Sequence, residues 1–370
     1  MSAKKHFYLF FGLVILIAAC NKNSGSYRYT MAVYKKIKLP IDSVTRPIQI
    51  NGHILGDDTL IILEENNTLL FYNLVTQKLF KKITFNRQGP DGISQVSGFL
   101  YLNKDTIFLL NATQYKLFIA NEAKKITRTY NLSNYKDSEA PSMGLSNYFA
   151  QMVKVDNQIH IATYPYLKPE SQEFYKSKKI HQVVDLQSGA NTYLPTSYPN
   201  IYVKNPYPYI FSYFYRCFNN DEKKFVYSFM ASDNIIVTDN NSPKNIEFVA
   251  NANMKPPQKL ENFTFNEEEH LRIQGTSNFY YSIYYDKYRK VYYRFASRIE
   301  KNGHKTWIII VLDKDFNKIL EFDYLTFPPE KRFISSIFPF VAKDGLYLPD
   351  KDSQTEDFFE IIILRLQKID

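Results

Sequence analysis

The sequence predicts an all-β chain folded as a six-bladed β-propeller, and three observations carry that prediction. Tyr (30 residues) and Phe (29) supply much of the apolar bulk while Gly numbers only 12, and aromatic side chains suit a pleated, half-buried surface better than a helix. Beyond Tyr27 there is almost no sustained helical period; short alternating or apolar runs punctuated by Asn, Asp, Gly and Pro take its place. Four such runs form a local meander, and the meander recurs along the chain.

The clearest copy lies between Asn86 and Leu132. A polar loop, Asn86-Arg87-Gln88-Gly89-Pro90-Asp91-Gly92, leads into strands over 96–103, 105–111, 115–120 and 125–132. An earlier unit covers 49–55, 58–64, 68–73 and 78–85. Later units take 149–155, 158–164, 180–185 and 191–194, then 209–218, 223–229, 234–238 and 245–249, then 278–286, 290–298, 306–313 and 318–324. The sixth begins with 335–342, 346–349 and 358–366 and is one strand short. Residues 29–39 have the character of a strand without a unit, and placed beside the last strand they close the ring and protect its edges. Seven blades are the competing count, because 195–208 and 250–277 are long enough to hold irregular strands. A β-sandwich fits strictly local four-strand units less well.

Ahead of this body, Lys4 and Lys5 precede an apolar run over 7–17, and Ile17-Ala18-Ala19-Cys20 ends it on small residues and a cysteine. The run is shorter than the roughly 20 residues that a spanning helix needs and has the layout of a secretory signal. The last four residues match a lipobox, so the expected organisation is a signal peptide over 1–19, lipidation at Cys20 with a tether to residue 26, and one propeller domain over 27–370. The expected address is the outer membrane, through acyl chains whose burial contributes about 0.8 kcal/mol per CH₂. The formal charge of +9 falls to +7 without Lys4 and Lys5, yet export argues against a nucleic-acid partner. With Cys20 acylated, Cys217 has no disulfide partner and reads as a small buried hydrophobe within an aromatic run.

The residues that carry a family likeness are Gly89-Pro90 leading to Gly98-Phe99, then Asp105-Thr106-Ile107-Phe108-Leu109 and Tyr115-Lys116-Leu117-Phe118. They resemble an NHL-type propeller blade, apart from Ala123, where such blades usually place a turn glycine. With the lipobox, the chain resembles the six-bladed β-propeller lipoproteins of Bacteroidetes and is most similar to the family catalogued as domain of unknown function 4221. That resemblance implies a fold and an address, and it brings no catalytic residues.

No catalytic constellation stands out. His6, His53, His160, His181, His270 and His304 are scattered without metal-ligand spacing, so neither a metal nor a cofactor is expected. Gly89-Pro90-Asp91-Gly92 precedes a strand, where a phosphate loop would precede a helix. Asp313-Lys314-Asp315-Phe316-Asn317-Lys318 lacks the Gly and Glu of a calcium loop and reads as a hairpin turn. Glu267-Glu268-Glu269-His270-Leu271-Arg272 is the one dense titratable cluster, read as a charged loop or a short helix. Asp42-Ser43-Val44, Asp58-Thr59-Leu60 and Asp105-Thr106-Ile107 resemble Asp-Ser/Thr-apolar glycosylation acceptors, the first being the best placed. Propeller geometry gathers the links between successive blades at one channel mouth, which makes Arg87, Gln88, Asp91, Tyr207, His270, Arg272 and Arg332 the expected ligand-binding candidates; arginine and tyrosine suit anionic or sugar-like ligands. The Tyr- and Pro-rich stretch from Tyr198 to Tyr215 fits either an aromatic binding ledge or a packing insertion. The functional expectation is a monomeric, membrane-tethered binding or scaffold module for a protein or glycan partner. The alternative is a glycan-processing hydrolase or lyase, which would need paired carboxylates at the channel mouth.

Overall fold

The computed structural model describes residues 28–41, 52–64, 66–133, 142–145, 150–169, 171–239, 244–261, 266–328, 339–350 and 357–369. The signal segment, Cys20 with its tether, residues 42–44 and Arg332 lie outside the described residues.

Six antiparallel sheets form the blades of a β-propeller. The first strand, β1 (Tyr29–Pro40), belongs to the last blade. Blade 1 is β2 (Gly52–Leu55), β3 (Thr59–Glu64), β4 (Thr68–Asn73) and β5 (Lys78–Thr84), and blade 2 is β6 (Gly98–Asn103), β7 (Thr106–Asn111), β8 (Lys116–Ala120) and β9 (Ile126–Asn131). In blade 3, β10 (Met143–Gly144) and β11 (Val153–Val155) share the inner position beside β12 (Gln158–Tyr164), followed by β13 (His181–Asp185) and β14 (Asn191–Tyr193). Blade 4 is β15 (Phe214–Asn219), β16 (Lys224–Phe229), β17 (Asn234–Asp239) and β18 (Asn245–Val249); blade 5 is β19 (Phe279–Asp286), β20 (Val291–Ile299), β21 (Lys305–Leu312) and β22 (Lys318–Phe327). Blade 6 runs β23 (Phe340–Ala342), β24 (Gly345–Asp350), β25 (Phe358–Lys368) and then β1, paired antiparallel from Tyr29↔Lys368 to Pro40↔Phe358. The N-terminal strand therefore closes the ring as expected. Gly345 is required there, since a Cβ would fall 2.2 Å from the Leu364 carbonyl oxygen.

The turns explain both the frequent Asn/Asp punctuation and the low glycine count. Asn73, Asn111, Asn219, Asp286 and Asp313 each accept a backbone N–H two or three residues on, the side-chain turn closure that these residues favour. Asp313 accepts from both Asp315 and Asn317, which confirms the hairpin turn. Several turn positions that glycine often fills hold other residues at positive φ, among them Asn67, Tyr115, Asp156, Lys223 and Lys290.

Two expectations need correction. The intervals 195–208 and 250–277 hold, among the described residues, the short helix α2 (Asn200–Lys204) and α3 (Glu267–Thr276) and no strand, so the seven-blade count fails. Another short helix, α1 (Gln172–Lys176), lies in blade 3. The strand expected over 209–218 begins only at Phe214. Pro208 has no N–H to give a ladder, and its carbonyl accepts from Phe211 N to close a 3₁₀ turn over Tyr209–Ser212.

The core lies as wedges between blades. Ile37 and Leu39 of β1 pack with Leu60, Ile62, Tyr72, Ile361 and Ile363 between blades 6 and 1. Ile61, Phe71, Phe99, Ile107 and Phe118 fill the next seam. The Tyr-rich stretch is a packing insertion: Tyr198, Tyr202, Tyr207 and Phe211 are buried with Phe174, Tyr175 and Phe229. Its buried hydroxyls are met, with Tyr198 donating to the Ser212 carbonyl (2.6 Å) and Tyr202 to the Phe211 carbonyl (2.9 Å).

Ring closure by β1 gives a direct expectation. Ile37→Ala removes a fully enclosed side chain and should cost about 2–5 kcal/mol, whereas Val33→Ala, on the exposed face of the same strand, should stay within about 0.5 kcal/mol. Urea unfolding of the two variants measures the difference; equal effects would mean that β1 contributes little to the seam.

Candidate functional site in the central channel

The first strands of the six blades surround the channel, and their side chains enclose a cavity of about 340 Å³. Ile54, Leu100, Val153, Cys217, Ile283 and Val341 represent the six blades in turn. A concave, mainly apolar cavity of this size with a few polar groups is the usual form of a small-ligand site. The polar lining includes His53, Lys154, Arg216, Tyr284, Tyr285, Lys287 and Tyr288, and no Asp or Glu lines it among the described residues.

Arg216 is the chemically distinctive residue. It sits in β15, only 5% exposed, where the inner position of the adjacent blade 3 is broken between β10 and β11. Its Nη2 donates to the Gln151 carbonyl (3.0 Å) and the His160 carbonyl (3.2 Å), stitching that break, and Ala150 bridges Arg216 in parallel. The guanidinium lies 5.0 Å from the Phe225 ring centroid. Its Nη1 is buried without a well-aligned hydrogen bond. Burial pulls the Arg216 pKa below the ordinary arginine value, with the Tyr227 hydroxyl beside the guanidinium opposing that shift through its charge and hydrogen bond.

Behind Arg216 runs a buried polar chain. His160 Nδ1 hydrogen-bonds His181 Nε2 at 2.9 Å, and His181 Nδ1 pairs with the Tyr227 hydroxyl. Burial, reinforced by the Arg216 charge, lowers His160 to about 3 and holds His181 well below its usual value. On the channel wall, burial lowers His53 to about 4 against an opposing hydrogen bond to the Tyr101 backbone. All three imidazoles are therefore neutral at pH 7. Burial also pushes the Cys217 thiol up, so no thiolate stands here and the cysteine behaves as the expected small hydrophobe.

At the end of the channel formed by the turns between first and second strands, Tyr288 of blade 5 reaches past blade 6 to donate to Asp57 of blade 1 (2.8 Å). Asp57 also faces Lys343 at 3.7 Å, while Asp221 accepts from Tyr285 and Lys290. These rim carboxylates are thus each paired with a lysine.

The described residues expected at a channel mouth do not line this cavity. Arg87 and Gln88 are exposed on the link between blades 1 and 2, with Arg87 Nη2 3.4 Å from Asn66 Oδ1. Asp91 accepts from Ile126 N at 2.9 Å, so that loop folds out over blade 2. Gly92 permits the fold, since a Cβ would sit 2.5 Å from the Gln88 carbonyl carbon. Tyr207 is buried in the aromatic insertion. Glu267–Glu269 form the first turn of α3, where carboxylates favour the helix dipole, capped by Asn266 accepting from Glu269 N (3.1 Å). His270 is buried, its ring stacked on Tyr209 and its Nδ1 accepting from Tyr209 N at 3.3 Å; Arg272 is exposed on the same helix. None of the six described candidates lines the cavity. Sequence reasoning missed Arg216, and its signal was a cation inside the aromatic run Tyr213–Phe218 with no acidic residue on the paired strand.

The buried imidazoles define a pH dependence. Each has a folded-state pKa below the unfolded value of about 6.5, so the unfolded chain takes up protons first as pH falls. Their stabilisation is complete above about pH 6.5 and is lost progressively towards about pH 4, at up to about 1.4 kcal/mol per pH unit for each group. Thermal melts between pH 8 and pH 4.5 should show this decline, and His181→Phe should make it shallower. An unchanged slope in that variant would contradict the assignment.

The comparisons with known proteins agree with this architecture. The chain aligns with the structure of a DUF4221 family member from Bacteroides vulgatus at a TM-score of 0.76 and 22% identity, covering 92% of this chain and 99% of that one. It also aligns with a protein described as exported from Bacteroides fragilis at a TM-score of 0.53 and 12% identity, covering 91% and 96% respectively. None of the curated proteins compared with the chain matches it. Among the described residues, no helix is long and apolar enough to cross a membrane. The family model described as Domain of unknown function (DUF4221) matches residues 42–323, and the chain belongs to that family.

Proposed function

We propose that this protein is an exported propeller, lipid-anchored through Cys20 to the outer membrane, that acts as a binding module and takes its ligand into the central channel. The anchor reading rests on the run from Lys4 to Cys20, and a relative of the same fold is described as exported. The observation that carries the binding reading is the 340 Å³ cavity bounded by the inner strands of all six blades. The ligand is a small molecule or the projecting end group of an envelope glycan or protein. Aromatic walls from Tyr284, Tyr285 and Tyr288 supply flat apolar contact. A hydrolase reading has less support, because glycosidases need two carboxyl groups roughly 5–9 Å apart and none lines the cavity among the described residues.

Two experiments test this reading. Val341→Trp fills the channel from β23 and should abolish the thermal shift that glycans or envelope extracts give the protein lacking residues 1–20. A ligand that stabilises the wild type and the variant equally would move the site off the channel. Separately, Cys20→Ala should move the protein from the membrane to the soluble fraction after cell lysis, and retention in the membrane would overturn the anchor.

A further inference from the structure

We infer that the channel ligand carries an oxyanion, a carboxylate or a phosphate, which pairs with the guanidinium of Arg216. This inference rests on the channel being the binding site and adds the chemical class of what it binds.

Two buried arginines make the argument by contrast. Arg294, in β20, is fully enclosed, and its donors are spent on the protein: Nε on Ser228 Oγ (3.0 Å), Nη1 on the Asp233 and Ala250 carbonyls (2.7 and 2.8 Å) and Nη2 on the Ser232 carbonyl (2.6 Å). Its guanidinium lies 3.9 Å from the Tyr280 ring centroid, and the Tyr280 hydroxyl donates to the Asp233 carboxylate (2.6 Å). That is a structural cation tying blade 5 to blade 4. Arg216 is as deeply placed but spends only Nη2 on carbonyls, has the Tyr227 hydroxyl beside its guanidinium, leaves Nη1 without a well-aligned bond and, among the described residues, pairs with no carboxylate. A charge held out of water with no counter-ion is unfavourable, and a buried donor without a well-aligned bond adds to that cost. A ligand oxyanion would offset both.

The charge around the cavity favours the same class. Among the described residues, Arg216, Lys154 and Lys287 are its charged lining residues, all cationic. Lys154 is held against the Asp156 carbonyl, and Lys287 lies over the Tyr288 ring at 4.9 Å. The nearby acids, Asp57 and Asp221, are paired with rim lysines. No lining histidine is charged at pH 7 and no thiolate competes for the guanidinium. The planar fork of arginine matches the two oxygens of a carboxylate or phosphate. Nη1 is enclosed in this arrangement, so the pairing requires the guanidinium to pivot towards the cavity that Arg216 lines.

The test uses the protein lacking residues 1–20, with thermal shift and calorimetry at constant ionic strength and pH 7.5. The probes are inorganic phosphate, D-glucuronate and, as a neutral match, D-glucose. Phosphate or glucuronate should stabilise the wild type in a saturable way, and D-glucose should not. Glucuronate as the stronger probe points to an acidic sugar, and phosphate to a phosphorylated group. Arg216→Gln should weaken binding about 10- to 100-fold, Arg216→Lys should retain part of it, and Lys204→Gln on α2 should leave it unchanged. A shift that survives in both Arg216→Gln and Val341→Trp would mean adventitious surface binding only and would overturn the inference. If D-glucose binds and Val341→Trp abolishes that binding while Arg216→Gln does not, the oxyanion is wrong and the channel reading stands. If no probe shifts the wild type, the inference fails. The role of the side chain is read independently without ligand: Arg216→Met, which gives up two carbonyl bonds, should melt only modestly below the wild type, whereas Arg294→Met, which gives up four hydrogen bonds, should melt far below it. Equal losses would make Arg216 a structural cation and overturn the proposal.

Discussion

The antiparallel ladder between β1 and β25 joins the two ends of the described chain over residues 29–40 and 358–368, and the ring depends on it. The seam between blades 6 and 1 has its own wedge of core, so opening it would expose Ile37, Leu39, Leu60 and Ile361 to water. Closure also sets how near the six inner strands stand to one another, and hence the width of the channel. The cavity at the centre is a consequence of that spacing.

Within the ring the channel wall is least regular at blade 3. There the inner position is shared by β10 and β11, and the carbonyls exposed by the break need donors. Arg216 supplies them from blade 4, which accounts for a cation at this depth. The same service consumes only part of its fork. Arg294 shows how this chain treats a cation that is purely architectural, with acceptors on every side. The difference in satisfaction between two equally buried guanidinium groups separates scaffold from site, and it ties the proposed binding chemistry to an irregularity of the fold.

The blades were readable from sequence wherever four strands follow one another through short turns, because each hairpin is a local event with its own Asn or Asp signal. Blades 1, 2 and 5 match their expected strands closely for that reason. Residues 209–218 misled because an apolar aromatic run reads the same in a strand and in a buried 3₁₀ turn. The candidate residues were chosen from general propeller geometry, which says where links between blades begin but not how they lie. Asn67 clamps the 85–97 link through Ile93 and Val96, and Asp91 anchors it to β9, so the link is fixed with Arg87 and Gln88 out of the cavity lining. Tyr207 and His270 were drawn into the aromatic insertion by their own apolar faces. Arg216 was hidden in the middle of a strand, where its role depends on a break in a different blade that no local pattern shows.

The oxyanion account is tested most directly by locating an anion in the ring. Crystals of the protein lacking residues 1–20, soaked in sodium selenate, would report the anion position by anomalous scattering. The account predicts a peak inside the channel at hydrogen-bond distance, about 3 Å, from the Arg216 guanidinium. Peaks confined to exterior lysines, with none in the channel, would contradict it.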